Sequence, residues 1–300
     1  MIARIESFFR RFRRRMSRSE WGLRFFGLSP VKGPGSEPGL LIIQIDGLSR
    51  PRLESALASG RMPFIKRLLQ KQNFELRSFY SGLPSSTPGV QAELFYGVKG
   101  AVPAFSFFNR KSGHVVRMFE ADAAREIEQE LRKQGEGLLE GGSSYANIYQ
   151  GGARESHFCA PNLGWDSLIH PGRFRAYLGA LILNSYGALR VLVLLLVEFV
   201  LAIFDFGRGL IAGQDFLKEL KFVPSRVGVS ILLRELIVFG AQLDMSRGLP
   251  VIHLNLLGYD EQAHRRGPSS LFAFWSLKGI DDAIKRLYGT ARRSHRRDYA

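Results

Sequence analysis

Two aspartates each stand just beyond an apolar run. Asp46 follows Leu40-Leu41-Ile42-Ile43-Gln44-Ile45, and Asp260 follows residues 250–257 by way of Gly258-Tyr259. A short continuous apolar run reads as a buried parallel strand, and α/β sheets bind ligands in the crevice at the carboxyl ends of such strands. The two carboxylates are therefore expected to converge. His264 lies four residues beyond Asp260, a spacing that puts carboxylate and imidazole on one helical face as a metal grip. Taken alone, such a pair is also an ordinary feature of surface helices. The third element is Pro84-Ser85-Ser86-Thr87-Pro88-Gly89 ahead of a short helix. A hydroxyl at such a turn faces the cleft, and the helix N-terminus behind it favours anions such as phosphate. Alone, the same residues also read as a helix cap in a proline turn. A coordinated metal ion would make the hydroxyl a nucleophile, which a cap does not require.

The elements that must position these groups follow from the patterning. Ser49 and Pro51 start a helix over residues 50–58, Gly60 stops it, and residues 62–69 read as another. Residues 74–79 are strand-like, 81–89 a turn cluster, 90–96 a short helix, 121–134 an amphipathic helix and 145–149 a strand. Further on, residues 225–245 read as a core helix with Arg234 and Glu235 on its wet side, 250–257 as a second buried strand, and 269–291 as a helix. Strands alternating with helices predict an α/β fold with a mostly parallel sheet flanked by helices.

Composition narrows the partners. With 300 residues, 45% hydrophobic and 23 of them Phe, the chain can bury a core and is not disordered overall. Its single cysteine, Cys159, cannot form an intrachain disulfide, so any metal must be held by carboxylate, imidazole or hydroxyl. The net charge of +15 sits at the ends: residues 1–33 hold nine basic and two acidic residues, and residues 265–300 nine and three, leaving +2 for the 231 between. A nucleic-acid reader would interleave its basic residues with aromatics on a folded face, so no specific nucleic-acid partner is expected.

Residues 1–26 set Arg10, Arg11, Arg13, Arg14, Arg15 and Arg18 against Ile2, Ile5, Phe8, Phe9, Phe12 and Met16 at mostly helical spacing. This reads either as a solvated terminus or as a basic amphipathic helix on an anionic membrane surface, where each basic residue contributes about 1 kcal/mol. No apolar stretch of secretory-signal type follows the arginines, so a location on the cytoplasmic side is expected.

Residues 173–213 have membrane-grade composition, yet Arg190 and Glu198 cut the region between Arg175 and Asp205 into uncharged stretches of 14, 7 and 6 residues. Spanning a bilayer core takes about 20 apolar residues. A span, a membrane-dipping hairpin or lipid-facing cap, and a buried helix pair all remain open. The region interrupts the α/β pattern as an apolar helical insertion. The expected organisation is a basic tail and linker (1–38), a first part of the α/β domain (39–165), the insertion (166–214), and a continuation of the α/β domain (215–300).

Together and in this order the motifs resemble the alkaline phosphatase superfamily, specifically its type I phosphodiesterase and nucleotide pyrophosphatase branch. Leu41-Ile42-Ile43-Gln44-Ile45-Asp46-Gly47-Leu48 is similar to that branch's first metal-binding strand, and Gly60-Arg61-Met62-Pro63-Phe64-Ile65-Lys66-Arg67-Leu68 to the helix after it. Pro84 to Gly89 resembles the nucleophile loop, with Thr87 at the nucleophile position. Gly258-Tyr259-Asp260-Glu261-Gln262-Ala263-His264-Arg265-Arg266-Gly267-Pro268 resembles the Asp-x-x-x-His-x-x-Gly-Pro block of the second metal. Asn109, 22 residues after Thr87, matches by spacing the asparagine that touches a phosphoryl oxygen. The resemblance covers roughly residues 39–110 and 249–300. A sulfatase is disfavoured, because Cys159-Ala160-Pro161 begins the Cys-x-Pro-x-Arg pattern but position 163 is Leu.

The resemblance implies an alkaline phosphatase-like fold and two zinc ions acting on a phosphate-ester substrate. Asp46 and Thr87 would serve one ion, Asp260 and His264 the other, with Thr87 attacking phosphorus. Three further ligands of the family, on a strand bearing Asp-His-Gly and on a later histidine, have no counterpart, and Arg292 to Tyr299 resembles the lead-in to that strand. The expectation is therefore a C-terminally truncated member, active when a complementing polypeptide completes the site, or else an inactive membrane-associated binding remnant of the same fold. His295 reads as one residue of a basic tail.

Overall fold

The two apolar runs ahead of the aspartates become neighbours in one sheet. A computed structural model describes residues 37–72, 74–83, 85–110, 113–162 and 185–300. The arginine-rich segment and the first part of the insertion lie outside the described residues. In chain order the elements are β1 (Leu40–Ile45), α1 (Arg50–Ala58), α2 (Pro63–Lys71), α3 (Thr87–Tyr96), β2 (Ser106–Asn109), β3 (His114–Arg117), α4 (Ala121–Arg132), β4 (Ser143–Tyr145), β5 (Glu155–His157), α5 (Ser185–Ile211), α6 (Phe216–Val227), a π-helical turn (Gly228–Leu233), α7 (Arg234–Arg247), β6 (Val251–Leu256), α8 (Gly258–Arg266) and α9 (Leu271–Ala291).

Among the described residues four strands form a wholly parallel sheet in the order β1-β6-β4-β5, and β2 and β3 make a separate antiparallel ribbon. The expected α/β architecture, a mostly parallel sheet flanked by helices, is thus present. Register pairs Gln44 with Asn255 and Ile45 with Leu256, so β1 and β6 end side by side. Every residue of β6 is buried, and its side chains alternate: Ile252, Leu254 and Leu256 face a core with α7 and α9, while Val251 enters the core formed with α3 and α4. Asp281 of α9 fixes α2 by accepting from the Phe64 and Ile65 amides at 2.8 and 2.9 Å. It supplies the cap that α2's own Met62 cannot.

Several local expectations are corrected. Strand β1 is half-buried rather than buried, because it lies at the sheet margin, where, among the described residues, only residues 298–300 lie beyond it. Tyr299 bridges Gly39 in parallel there, and the Leu41 amide donates to the Ala300 carbonyl at 3.1 Å. Residues 74–79 form no strand, and Phe74 and Phe79 are exposed. The strand expected at 145–149 instead ends at Tyr145, where Ala146 turns the chain with φ 54°. The helix expected over 225–245 is interrupted by the π turn, and Arg234 and Glu235 are buried, not wet, because they pair with each other and with neighbouring charges.

Within the insertion, α5 is a single helix of 27 residues, about 40 Å at the usual rise. Its stretch Gly187–Ile211, with a mean hydropathy of 2.5, is long and apolar enough to cross a membrane. It packs as a hairpin on α6 and also on the π turn.

Candidate functional site

The site is assembled at the carboxyl ends of β1 and β6. Asp46 is the first residue after β1 and is 9% exposed. Thr87 is the first residue of α3, because Ser86 takes the N-cap position with extended backbone. The helix therefore starts earlier than residue 90, and the hydroxyl sits at its N-terminus. Thr87 Oγ1 donates to Asp46, 3.1 Å from Oδ1 and 3.3 Å from Oδ2. Asn255 of β6 donates to Asp46 Oδ2 at 3.4 Å, and Gln44 to Oδ1 at 3.4 Å.

Asp260 reaches the same place from α8. A Cβ built on Gly47 would fall 2.2 Å from Asp260 Oδ1, so the carboxylate lies directly over the residue that follows Asp46. Gly47 has φ +67°, which independently favours glycine. His264, one helical turn on, approaches Asp260 Oδ1 with Nε2 at 3.3 Å, and its side chain is 81% exposed. Burial raises the Asp260 carboxyl above its ordinary value, the negative charge of Asp46 raises it further, and His264 draws it partly back. Of the residues singled out from the sequence, Asp46 and Thr87 are hydrogen-bonded to each other, Asp260 lies over Gly47, and His264 meets Asp260. Asn109 ends β2 opposite His114, and its place beside the others rests on sequence spacing alone.

Under Asp46 runs a chain of neutral polar groups that sequence reasoning missed. Gln91, one turn into α3 beyond Thr87, donates to Gln44 Oε1 at 3.1 Å and to Asn147 Oδ1 at 2.9 Å, and accepts from the Ile148 amide at 2.8 Å. Asn147 in turn donates to Ser144 Oγ at 2.8 Å. These bonds tie α3, and with it Thr87, to the sheet in one orientation. The available signal was Gln44, a polar residue interrupting an otherwise apolar strand. Cys159 belongs to this layer and is fully buried, and desolvation pushes its thiol up to about 11, so it is not a reactive nucleophile.

The donor types suit zinc: a carboxylate with a hydroxyl, and a carboxylate with an imidazole. A divalent cation would also relieve the repulsion between the two aspartates. Among the described residues, however, no three of His, Cys, Asp and Glu stand close enough to hold one ion. Each pair thus offers two ligands where a closed zinc site takes about four and a catalytic one about three. A separate cavity of about 60 Å³, bordered by Glu198, Gln262 and Trp275, lies under α5 and belongs to the packing of the hairpin.

Comparison with protein-family models, curated proteins and solved structures returns no match to this chain.

Proposed function

We propose that this cleft is the catalytic centre of a metal-dependent hydrolase of phosphodiester or pyrophosphate bonds, of the type I phosphodiesterase and nucleotide pyrophosphatase branch of the alkaline phosphatase superfamily. The observation that carries the proposal is the Thr87 hydroxyl held on Asp46 at a helix N-terminus, with Asp260 across Gly47. In this reading Asp46 orients Thr87 Oγ1, whose proton passes along that hydrogen bond to Asp46 as the oxygen bonds to phosphorus and the ester oxygen departs; water then attacks the phospho-threonine in line, the P–Oγ1 bond breaks, and Oγ1 takes its proton back. The α3 amides and Asn109 receive the phosphoryl oxygens. Two zinc ions, when bound, would supply charge neutralisation at the phosphoryl group and activate the hydroxyl. The donor count asks for further ligands from outside the described residues, which a complementing polypeptide could provide. We place the reaction on the cytoplasmic side of a membrane, consistent with the apolar α5.

The same donor count favours a second reading, an inactive protein that keeps an anion-binding cleft. Turnover of bis-p-nitrophenyl phosphate with zinc decides between them. Hydrolysis that Thr87→Ala lowers a thousandfold or more supports the nucleophile. Activity kept above about a tenth removes Thr87 from the role. Phosphate binding without turnover favours the second reading.

A further inference from the structure

Helix α5 has two chemically opposite sides. Arg190, Glu198 and Asp205, eight and seven residues apart, fall on the inner side. There Glu198 and Asp205 both pair with the fully buried Arg226 of α6, at 2.6 and 3.1 Å, while Arg266 of α8 reaches Asp205 at 3.0 Å. Arg190 pairs with Glu235 of α7, and Trp275 of α9 donates to Glu198 at 2.9 Å. The outer side is uniformly apolar: Leu189, Leu192, Leu196, Val200 and Ile203 form a stripe at helical spacing, each about half exposed or more. Phe216 and Leu217 of α6 extend it beyond the turn. An exposed apolar face of this length is far beyond scattered surface hydrophobics.

The tip of the hairpin says what covers it. Arg208, Lys218 and Lys221 are exposed there, Glu219 is buried against Arg265 and Arg266, and Asp215 is occupied in capping α6 through the Lys218 amide. A second copy docked on this face would bring the same rim, in which three exposed cations, Arg208, Lys218 and Lys221, face a single exposed acid, Asp215. An anionic leaflet supplies both an apolar interior and the opposite charge. We propose that the α5–α6 hairpin lies in the plane of an anionic bilayer, its apolar side sunk among the acyl chains and its charged side locked to the α/β domain. It does not span, because turning α5 across the membrane would either break its ion pairs or carry Arg226, Arg266 and Glu235 into hydrocarbon. The inference rests on the membrane association proposed above but not on the hydrolytic activity, since every readout is lipid binding.

The test is flotation of the full chain with vesicles of phosphatidylcholine alone and of phosphatidylcholine with phosphatidylglycerol. Binding is expected to favour the anionic vesicles, to weaken with salt as the charge term is screened, and to be released by alkaline carbonate. Leu196→Glu with Val200→Glu should lower it tenfold or more while circular dichroism stays unchanged. Because Cys159 is buried, an environment-sensitive dye on Val200→Cys reports the face selectively. Its emission should shift to the blue on vesicles, while the same dye on Lys133→Cys, at the C-terminal end of α4 on the other side of the sheet, should not. Failure of the wild type to bind either vesicle overturns the membrane association and this inference together. Retention through carbonate overturns the in-plane orientation alone, and equal dye responses or unchanged binding of the double variant overturn the docking face.

Discussion

The cleft at Asp46 and the layer beneath α5 both bury carboxylates, and they treat them in opposite ways. Under α5, each of Glu198, Asp205, Glu219 and Glu235 meets at least one guanidinium, and Arg226 also stacks on Phe272 at 4.1 Å. At the cleft, among the described residues, Asp46 receives only neutral donors, from Thr87, Asn255 and Gln44, and Asp260 is met by an exposed imidazole. Charges closed by their partners serve the architecture, whereas charges left open are the ones able to meet a ligand. Helix α8 joins the two regimes, carrying Asp260 and His264 toward the cleft and Arg265 and Arg266 toward the hairpin.

The contrast is broken most forcefully at Arg226. Replacing this fully buried arginine by methionine strands Glu198 and Asp205 without their shared partner, and removing one partner of a buried pair costs about 3–5 kcal/mol. Urea unfolding of Arg226→Met should show that loss. Adding Glu198→Leu and Asp205→Leu should recover most of it, because well-packed apolar replacements of a buried ion network are often neutral. A loss below about 1 kcal/mol for the single variant would mean that the layer is not held by its charges.

Gly47 tests the cleft in the same currency. In Gly47→Ala the new methyl meets Asp260 Oδ1, and the backbone must keep φ +67°, a conformation costing roughly 1–2 kcal/mol for an L-residue. Gly60 has nearly the same φ, +69°, with nothing within 4 Å of its would-be Cβ, so Gly60→Ala measures the backbone term alone. The difference between the two unfolding midpoints isolates the closeness of Asp260 to the Asp46 loop. Zinc should raise the melting temperature of wild type and of Gly60→Ala more than that of Gly47→Ala. Equal costs and equal zinc responses would separate Asp260 from the loop.

The parts of this comparison were unequally legible in the sequence. Asp46, Thr87, Asp260 and His264 were readable because strand ends and helix turns fix direction locally: an apolar run ends, and the next polar residue must face the crevice. The outer edge of β1 was not, since its partner is Tyr299 and no periodicity couples residues so far apart. Arg234 and Glu235 misled for a related reason. Local pattern assigns charge to the solvent side, whereas burial here depends on Arg190 and Arg286, which arrive from other helices. The buried amide chain of Gln44, Gln91 and Asn147 escaped because its partners come from three separate elements and only Gln44 breaks a pattern.

At the cleft the finest test is the sign of a pH dependence. Burial and Asp46 together raise the Asp260 carboxyl above its ordinary value, so the folded protein holds that proton more tightly than the unfolded chain does. Such a group contributes stability that is full below the unfolded value and is lost as pH rises through the folded one. From about pH 4 upward, then, Asp260 should make the protein progressively less stable. Buried Asp244 and Asp281, raised mainly by desolvation, add slopes of the same sign, so the useful quantity is the difference between wild type and Asp260→Asn across pH 4–7. That difference should open with rising pH, leaving Asp260→Asn the more stable at neutrality. Zinc should narrow it at pH 7, because a bound cation favours the ionised carboxylate in the wild type and the amide cannot replace it. A variant that is less stable at neutral pH, with an unchanged pH slope, would show that Asp260 is already compensated and would place the cleft in the same class as the layer under α5.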